Sequence, residues 1–440
     1  MKGFEMRQRS LLSFVLLVVL LFSSVAPLLA QDASPLVAGV SDQCAGTELR
    51  VIFANHPWNN AIQRLLPQFE TASGVTLRVE SYFEDQLSQR LQIGLTSGNT
   101  QADVFMFRPL QEGRLFAENG WIGDLSAFVT SDADWNWEDF QAATRQTVTY
   151  GDVLAGVPIV TEREMLYYRK DLFEEAGIEP PATLEELEQV AAQFNDPDNE
   201  FYGIVFRGRR SPAVTQFSSF LYNFGGNWLT EDGQSALDTP EALEAYTYYS
   251  NLLANYGPPG TTNMSWPEAL AIFQQGKAAM WIDADVFYAN IIDPSQSVVA
   301  DTVGFAPFPE GPAGANQYNV TSWALGMNAA TQNQCAAEEF MKWASSAPVV
   351  LELQKLGTPG ARLSVWDSEE GLSGFPADYA EVVQIQSARG TGYDRPLVVR
   401  VGEARDIVGA PIVTGIEGGD VAAAVQEAHA AFNAFLETDG

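Results

Sequence analysis

Eight side chains at the ends of expected strands and helices could carry chemistry: the acids Glu162 and Asp283, the arginines Arg108, Arg207 and Arg395, and the tryptophans Trp58, Trp228 and Trp323. A flat indole can lie on the C–H face of a polyhydroxy molecule, and a carboxylate or forked guanidinium can engage two vicinal hydroxyls at once. Each residue also has a plainer role to weigh. Asp283, or its neighbour Asp285, suits the N-cap of the helix that follows. Arg207 stands beside Arg209 and Arg210, and clustered charge commonly marks a solvated face. Trp58 and Trp323 suit a core, while Trp228, Arg108 and Arg395 suit packing or pairing. Glu162 is the hardest to explain as a solvated charge, because it falls inside an apolar run.

The stretch that positions Glu162 runs from Tyr150 to Ala192. A turn at Gly151-Asp152 leads into an apolar run ending at Val157-Pro158, the charges Glu162, Arg163 and Glu164 interrupt, and apolar character resumes at Met165. The pattern predicts strand, polar break, strand. A helical turn over Asp171–Ala176 stopped at Gly177 follows, then a helix N-capped by Thr183 with Glu185 and Glu186 in its first turn. A charge placed where two rigid bodies meet costs stability unless something polar lies against it, and a ligand in a cleft can be that partner.

Elsewhere the pattern predicts alternating strands and helices. Glu48 to Ala54 reads as a strand, and Ile62, Leu65, Leu66 and Phe69 as one helical face stopped by Gly74. Val75–Val79 is a second strand, Gln86–Leu95 a second helix and Ala102–Phe107 a doubly covered parallel strand. Ligands in such sheets gather at the carboxyl ends of strands, here Asn55–Asn60 and Phe107-Arg108. Later segments predict a strand at Tyr202–Phe206, helices at Gln216–Phe224, Pro240–Tyr256 and Trp266–Gln275, and a strand over Lys277–Ile282 ending at Asp283. A second crossing is expected at Tyr318–Met327 with Trp323 in its middle, then an amphipathic helix over Gln334–Ser346 and a helical tail from Pro396 to Leu436.

A chain of 440 residues suggests two lobes. Its 56 acidic and 24 basic residues give a net charge of −32, which argues against nucleic acid and, by default, against an anionic ligand, although a local arginine pocket can override the net charge. Such acidity favours a soluble monomer. Lys2, Arg7 and Arg9 precede an apolar run from Leu11 to Phe22, with small residues around Ala26 and Ala30, so residues 1–30 read as a signal peptide cleaved after Ala30 and residues 31–46 as a flexible leader. Export implies a periplasmic or extracellular location, where the two cysteines, Cys44 and Cys335, are expected to bridge; the alternative is two unrelated buried thiols.

Gly156-Val-Pro-Ile159, Glu162, Leu166-Tyr-Tyr-Arg-Lys-Asp-Leu-Phe173, Ala176-Gly-Ile178 and Pro181-Ala-Thr-Leu-Glu-Glu-Leu187 stand in an order that resembles the sugar-type solute-binding proteins of ATP-binding-cassette importers, the maltose-binding-protein-like family 1. The resemblance continues at Phe273-Gln-Gln-Gly-Lys-Ala-Ala-Met-Trp-Ile-Asp283, Ser322-Trp-Ala-Leu-Gly-Met-Asn328 and Ala336-Ala-Glu-Glu-Phe340. Within the family, Tyr202-Gly-Ile-Val-Phe-Arg-Gly208, Gly257-Pro-Pro-Gly260 and Val299-Ala-Asp-Thr-Val-Gly-Phe305 are most similar to binders of sugar alcohols such as mannitol and sorbitol, with departures at Arg209-Arg210 and around Tyr318–Thr321. It implies an α/β, two-lobed periplasmic-binding-protein fold of type II, with a ligand cleft between lobes joined by several crossings. Residues 47–160 plus 323–375 would form the N-terminal lobe and 161–322 plus 376–440 the C-terminal lobe. The resemblance also places Cys44 and Cys335 on the same lobe, which makes a bridge possible, and implies a small neutral sugar or polyol as ligand and a membrane permease as partner. Hinge closure on the ligand is the motion expected of periplasmic binding proteins.

A secreted glycoside hydrolase is the alternative, being also acidic and tryptophan-rich, but no distinctive carboxylate pair stands at strand ends and neither G-x-S-x-G nor H-E-x-x-H occurs. With only His56 and His429 available, a histidine-based metal site or triad is not expected, no cofactor is implied, and His429 reads as structural.

Overall fold

The structure, a computed structural model, describes residues 34–98 and 101–439. The expected signal peptide and its cleavage point lie outside the described residues. Eight strands form one mixed sheet: β1 Glu48–Ala54, β2 Thr76–Tyr82, β3 Val104–Phe107, β4 Val157–Arg169, β5 Tyr202–Val205, β6 Ala278–Ala284, β7 Val303–Pro307 and β8 Asn319–Met327. Their order is β2-β1-β3-β8-β4-β6-β5, with β7 also paired to β4. β1 runs parallel to β2 and β3, and β5 parallel to β6, while β8 and β4 run antiparallel to their neighbours.

Two lobes follow from this pairing. β1 to β3 and their helices build one, β5 to β7 and theirs the other, and β4 passes between them: Val157–Arg163 pairs with β8, and Glu164–Arg169 with β6 and β7. The expected polar break is therefore absent. The ladder continues through Glu162, Arg163 and Glu164, all buried, because neighbouring side chains and burial itself settle those charges. Arg163 donates from Nη1 to Asp285 Oδ2 at 2.6 Å and from its backbone N to Oδ1 at 3.1 Å, both side chains being fully buried. Burial, partly countered by Arg163, pushes Asp285 up to about 6.

Helix ends follow local chemistry. Gly74 and Gly177 stop their helices in the left-handed region, and Thr183 and Glu186 form a reciprocal capping box. The single helix expected across Ile62–Phe69 is two, Pro57–Ile62 and Leu66–Ser73, because Pro67 cannot continue the ladder and suits a first turn. The helix expected from Gln216 begins at Arg210, which sets Arg209 and Arg210 at its start. Asp283 lies inside β6, so it caps no helix. Phe217, Phe220, Tyr246 and Tyr249 interlock in one core, with Phe217 stacked on Tyr246 at 4.1 Å.

The leader expected to be loose is packed from Pro35 onward. Leu36 accepts from Trp343 Nε1, Ser41 N donates to Glu339, and Cys44 is disulfide-bonded to Cys335 at the start of the helix Gln334–Ala344. The bridge closes a separation of 291 residues, which restricts the unfolded chain strongly. Replacing both cysteines by serine should lower the unfolding free energy by about 2–5 kcal/mol. An unchanged denaturant midpoint under non-reducing conditions would show that the bridge adds nothing.

Candidate functional site

A cavity of about 570 Å³ opens between the lobes. Its wall is built where strands end: His56 after β1, Phe83 and Glu84 after β2, Arg108 after β3 and Arg207 after β5, with Glu162 and Trp323 from the crossing strands. Strand carboxyl ends meeting at a cleft are the usual ligand position in such sheets.

On one side, His56 Nδ1 accepts from Trp58 N at 3.1 Å, which leaves Nε2 to carry the proton toward Glu162 Oε1 at 3.3 Å. The His56 ring lies against Trp323 at 5.3 Å, and the Arg108 guanidinium stands 5.6 Å from the same indole. Arg108 is fixed by Glu84 at 3.1 Å, Glu112 at 2.7 Å and Ser88 at 2.7 Å. Burial favours a neutral Glu84, but the Arg108 and Arg207 charges outweigh it and hold that carboxyl below its ordinary value.

Arg207 also faces the cavity. Its Nε and Nη2 donate to the two oxygens of Asp283, at 3.0 and 2.5 Å, and its backbone N donates to Gln216 Oε1 at 2.7 Å. Burial pulls Arg207 down, yet Asp283 more than offsets it and the guanidinium stays charged. Its remaining nitrogen, Nη1, makes no hydrogen bond among the described residues and is open to a ligand. Asp283 itself is fully buried, absent from the cavity wall and engaged by Arg207 and by Ala284 N, so it positions Arg207.

Of the eight residues singled out by type and place, Glu162, Arg108, Arg207, Trp323 and Arg395 line the cavity. Trp58 and Trp228 do not: Trp58 packs edge-on to Phe53 in one core, and Trp228 donates to the Tyr222 hydroxyl in the other. Both indoles are buried because the apolar interior takes the ring and, for Trp228, a hydroxyl takes the N–H. Residues missed by the sequence reading include Glu84, Gln111, Thr215 and Arg405. Glu84 and Gln111 each follow a strand end closely, a signal that was available; Thr215 and Arg405 lie within helices and gave none. His429 pairs with Asp238 and Asn433 away from the cavity. Among the described residues no cluster of acids, histidines or cysteines could hold a metal ion, and no helix is long and apolar enough to cross a membrane.

The family model of bacterial extracellular solute-binding proteins matches residues 55–350. The chain belongs to that family. This solute-binding protein is 32% identical over 325 residues to the mannitol-binding protein of Pseudomonas aeruginosa, covering 72% of this chain and 73% of the relative. Its fold superposes on an ABC transporter solute-binding protein from Agrobacterium radiobacter K84 in complex with ribitol, with TM-score 0.82 and 27% identity over 89% of this chain and 99% of the other. A solute-binding protein from Agrobacterium vitis S4 with bound D-mannitol gives TM-score 0.79 and 26% identity over 89% and 98%. The protein is thus the solute-binding component of an ATP-binding-cassette transporter, and its relatives are binding proteins.

One buried acid behind the site has a separate consequence. Glu164 is fully buried, and burial, opposed by the Ser219 hydroxyl and reinforced by the nearby Asp283 charge, raises it well above its ordinary 4.5. A carboxyl raised on folding contributes stability that is complete below its unfolded pKa and is lost as pH rises through the folded one. Glu164→Gln, which mimics the neutral form, should therefore gain melting temperature relative to the native protein as pH rises from about 5 to about 9. Parallel melting profiles across that range would contradict a neutral Glu164.

Proposed function

We propose that the cleft takes a linear polyol of the mannitol or sorbitol kind, holds it between closing lobes and hands it unchanged to the permease subunits. The observation that carries this reading is the meeting, in one cavity, of an aromatic face (Trp323), a carboxylate (Glu162) and a charged guanidinium with a free nitrogen (Arg207). A polyol needs all three, since its hydroxyls both donate and accept and its C–H faces prefer a flat apolar surface. The polyol ligands of the relatives support the same class. Glu162, Arg207, Trp323, Arg108 and Arg395 are proposed to meet the ligand, and Asp283 to act through Arg207.

Binding without reaction is favoured by the state of the acids. Hydrolysis of a glycosidic bond needs a protonated carboxyl in reach of the leaving oxygen. Glu84 and Asp394, by contrast, are held below the ordinary range despite burial by the arginines beside them. The proposed setting is an exported monomer. Its lobes would divide at residues 160/161, 322/323 and 375/376, the first two on the strands that cross between them.

The test is a thermal-shift and calorimetric screen against hexitols, pentitols, monosaccharides and disaccharides, with each ligand recovered afterwards. A hexitol or pentitol at about 100 times its Kd should stabilise the fold by ~2.7 kcal/mol and be recovered intact. Stabilisation by disaccharides alone would overturn the polyol class, and recovered cleavage products would overturn the binding role. For the preferred polyol, Glu162→Gln should weaken binding by about 1.5–3 kcal/mol, as expected for a hydrogen bond to a charged acceptor. An unaltered Kd in that variant would remove Glu162 from the ligand's partners.

A further inference from the structure

The cavity has a second end whose chemistry differs from that of the Glu162 side. Arg395 and Arg405 both line it, both are nearly fully buried, and they share the same two acceptors. Nη1 of Arg395 and Nη1 of Arg405 donate to Gln111 Oε1 at 2.6 and 2.8 Å, and Nη2 of each donates to Thr215 Oγ1 at 3.2 Å. Asp394 engages Arg395 through both oxygens, and Arg405 donates its Nε to the Ser211 carbonyl at 3.0 Å. Two buried cations therefore face the cavity with one buried carboxylate between them. The other nearby acid, Asp406, is exposed, and Arg210 bonds only to its backbone carbonyl.

The hydrogen-bond inventory points the same way. Gln111 Oε1 and Thr215 Oγ1 each accept from both guanidinium groups, and each Asp394 oxygen accepts one N–H of Arg395. Of the five N–H donors on each guanidinium, Arg395 uses four and Arg405 three. Three guanidinium N–H groups and the Gln111 amide are left over at this end, against the second lone pairs of the Asp394 oxygens, the Ser211 hydroxyl and the exposed Asp406 carboxylate. A ligand hydroxyl set between the two guanidinium groups can accept from them but leaves their charge unanswered. An oxyanion accepts from both and also offsets the second buried cation, which among the described residues has no carboxylate of its own in hydrogen-bond contact. Burial and the adjacent Arg395 pull Arg405 well below its ordinary pKa, which marks a cation short of negative charge.

We infer that the ligand is a polyol bearing an oxyanion at one terminal carbon, a linear polyhydroxy carboxylate or a polyol phosphate, with that group on Arg395, Arg405 and Gln111. The inference rests on the polyol reading above and narrows it. The acidic net charge makes a neutral ligand the default, and this arginine pair is the local exception to it.

Calorimetry on the mature protein with a six-carbon alditol, the aldonate of the same stereochemistry and the alditol phosphate separates the cases. The expected result is that the aldonate or the phosphate binds at least about tenfold more tightly than the alditol, with an affinity that falls as salt is added while that of the alditol does not. Whichever anion wins identifies the oxyanion. Arg405→Gln should shrink the anion-to-alditol preference toward one, and if that variant does not fold, the salt dependence of the native protein decides. An alditol that binds as tightly as both anions would overturn this inference and leave the polyol reading standing. Binding of none of the three, with a monosaccharide or disaccharide bound instead, would overturn both.

Discussion

β4 carries three charged side chains through the interior, and much of the molecule is arranged to accommodate them. An ionised group buried without a partner costs several kcal/mol, so each charge must be paired, neutralised or given to a ligand. Strand alternation splits the three. Arg163 points to one face, where Asp285, the Ser387 hydroxyl and the Trp366 ring receive it. Glu162 and Glu164 point to the other. Glu162 reaches the cavity and pairs with His56, whereas Glu164 lies deeper, where burial raises its pKa and favours the neutral form. The same strand thus joins the lobes and supplies the cleft with its carboxylate, so the site and the connection between lobes are not separable parts.

The distribution of basic residues extends this logic. The chain has only 24 lysines and arginines against 56 acids, yet six arginines line one cavity. The inner ones are held in place by the protein's own acceptors: Arg108 by Glu84 and Glu112, Arg207 by Asp283, Arg395 by Asp394. A guanidinium already locked by two or three bonds loses little freedom when a ligand takes its remaining N–H groups. The buried acids therefore contribute to binding indirectly, as Asp283 does through Arg207.

Most of the fold was legible in the sequence because it is written in local patterns. The strand at Glu48–Ala54, the helix at Pro240–Tyr256 and the Thr183 cap coincide with their expected bounds, since periodicity and capping are set by neighbours in the chain. The polar break in β4 was misread because the partners that let a charged strand continue, Asp285 and His56, are 122 and 106 residues away. The same distance limits the site. Five of the eight chosen residues line the cavity: Arg108 and Arg207 because strand ends converge there, Glu162 and Trp323 because the crossing strands pass it, and Arg395 from the loop before the helix Val401–Val408. Trp58 and Trp228 share that signature of type and position, and only three-dimensional packing turns them into the cores. Arg405 was invisible for the opposite reason: within a helix it looks like an ordinary surface arginine until Gln111 and Thr215 are brought against it.

The two ends of the cavity differ in what they demand, and that difference bears on selectivity. Near Trp323 the wall offers a carboxylate, an imidazole N–H and a guanidinium, so a hydroxyl can both give and receive. Near Arg405 it offers chiefly the spare N–H groups of two buried guanidinium groups. A ligand with hydroxyls at one end and an acceptor-only group at the other satisfies the wall in one orientation, and the reversed pose leaves buried donors unpaired at one end and sets negative charge against Glu162 at the other. Unpaired buried polar groups are penalised more heavily than a made hydrogen bond is rewarded. Discrimination in such a cleft therefore comes less from the contacts a correct ligand gains than from those a wrong one leaves empty.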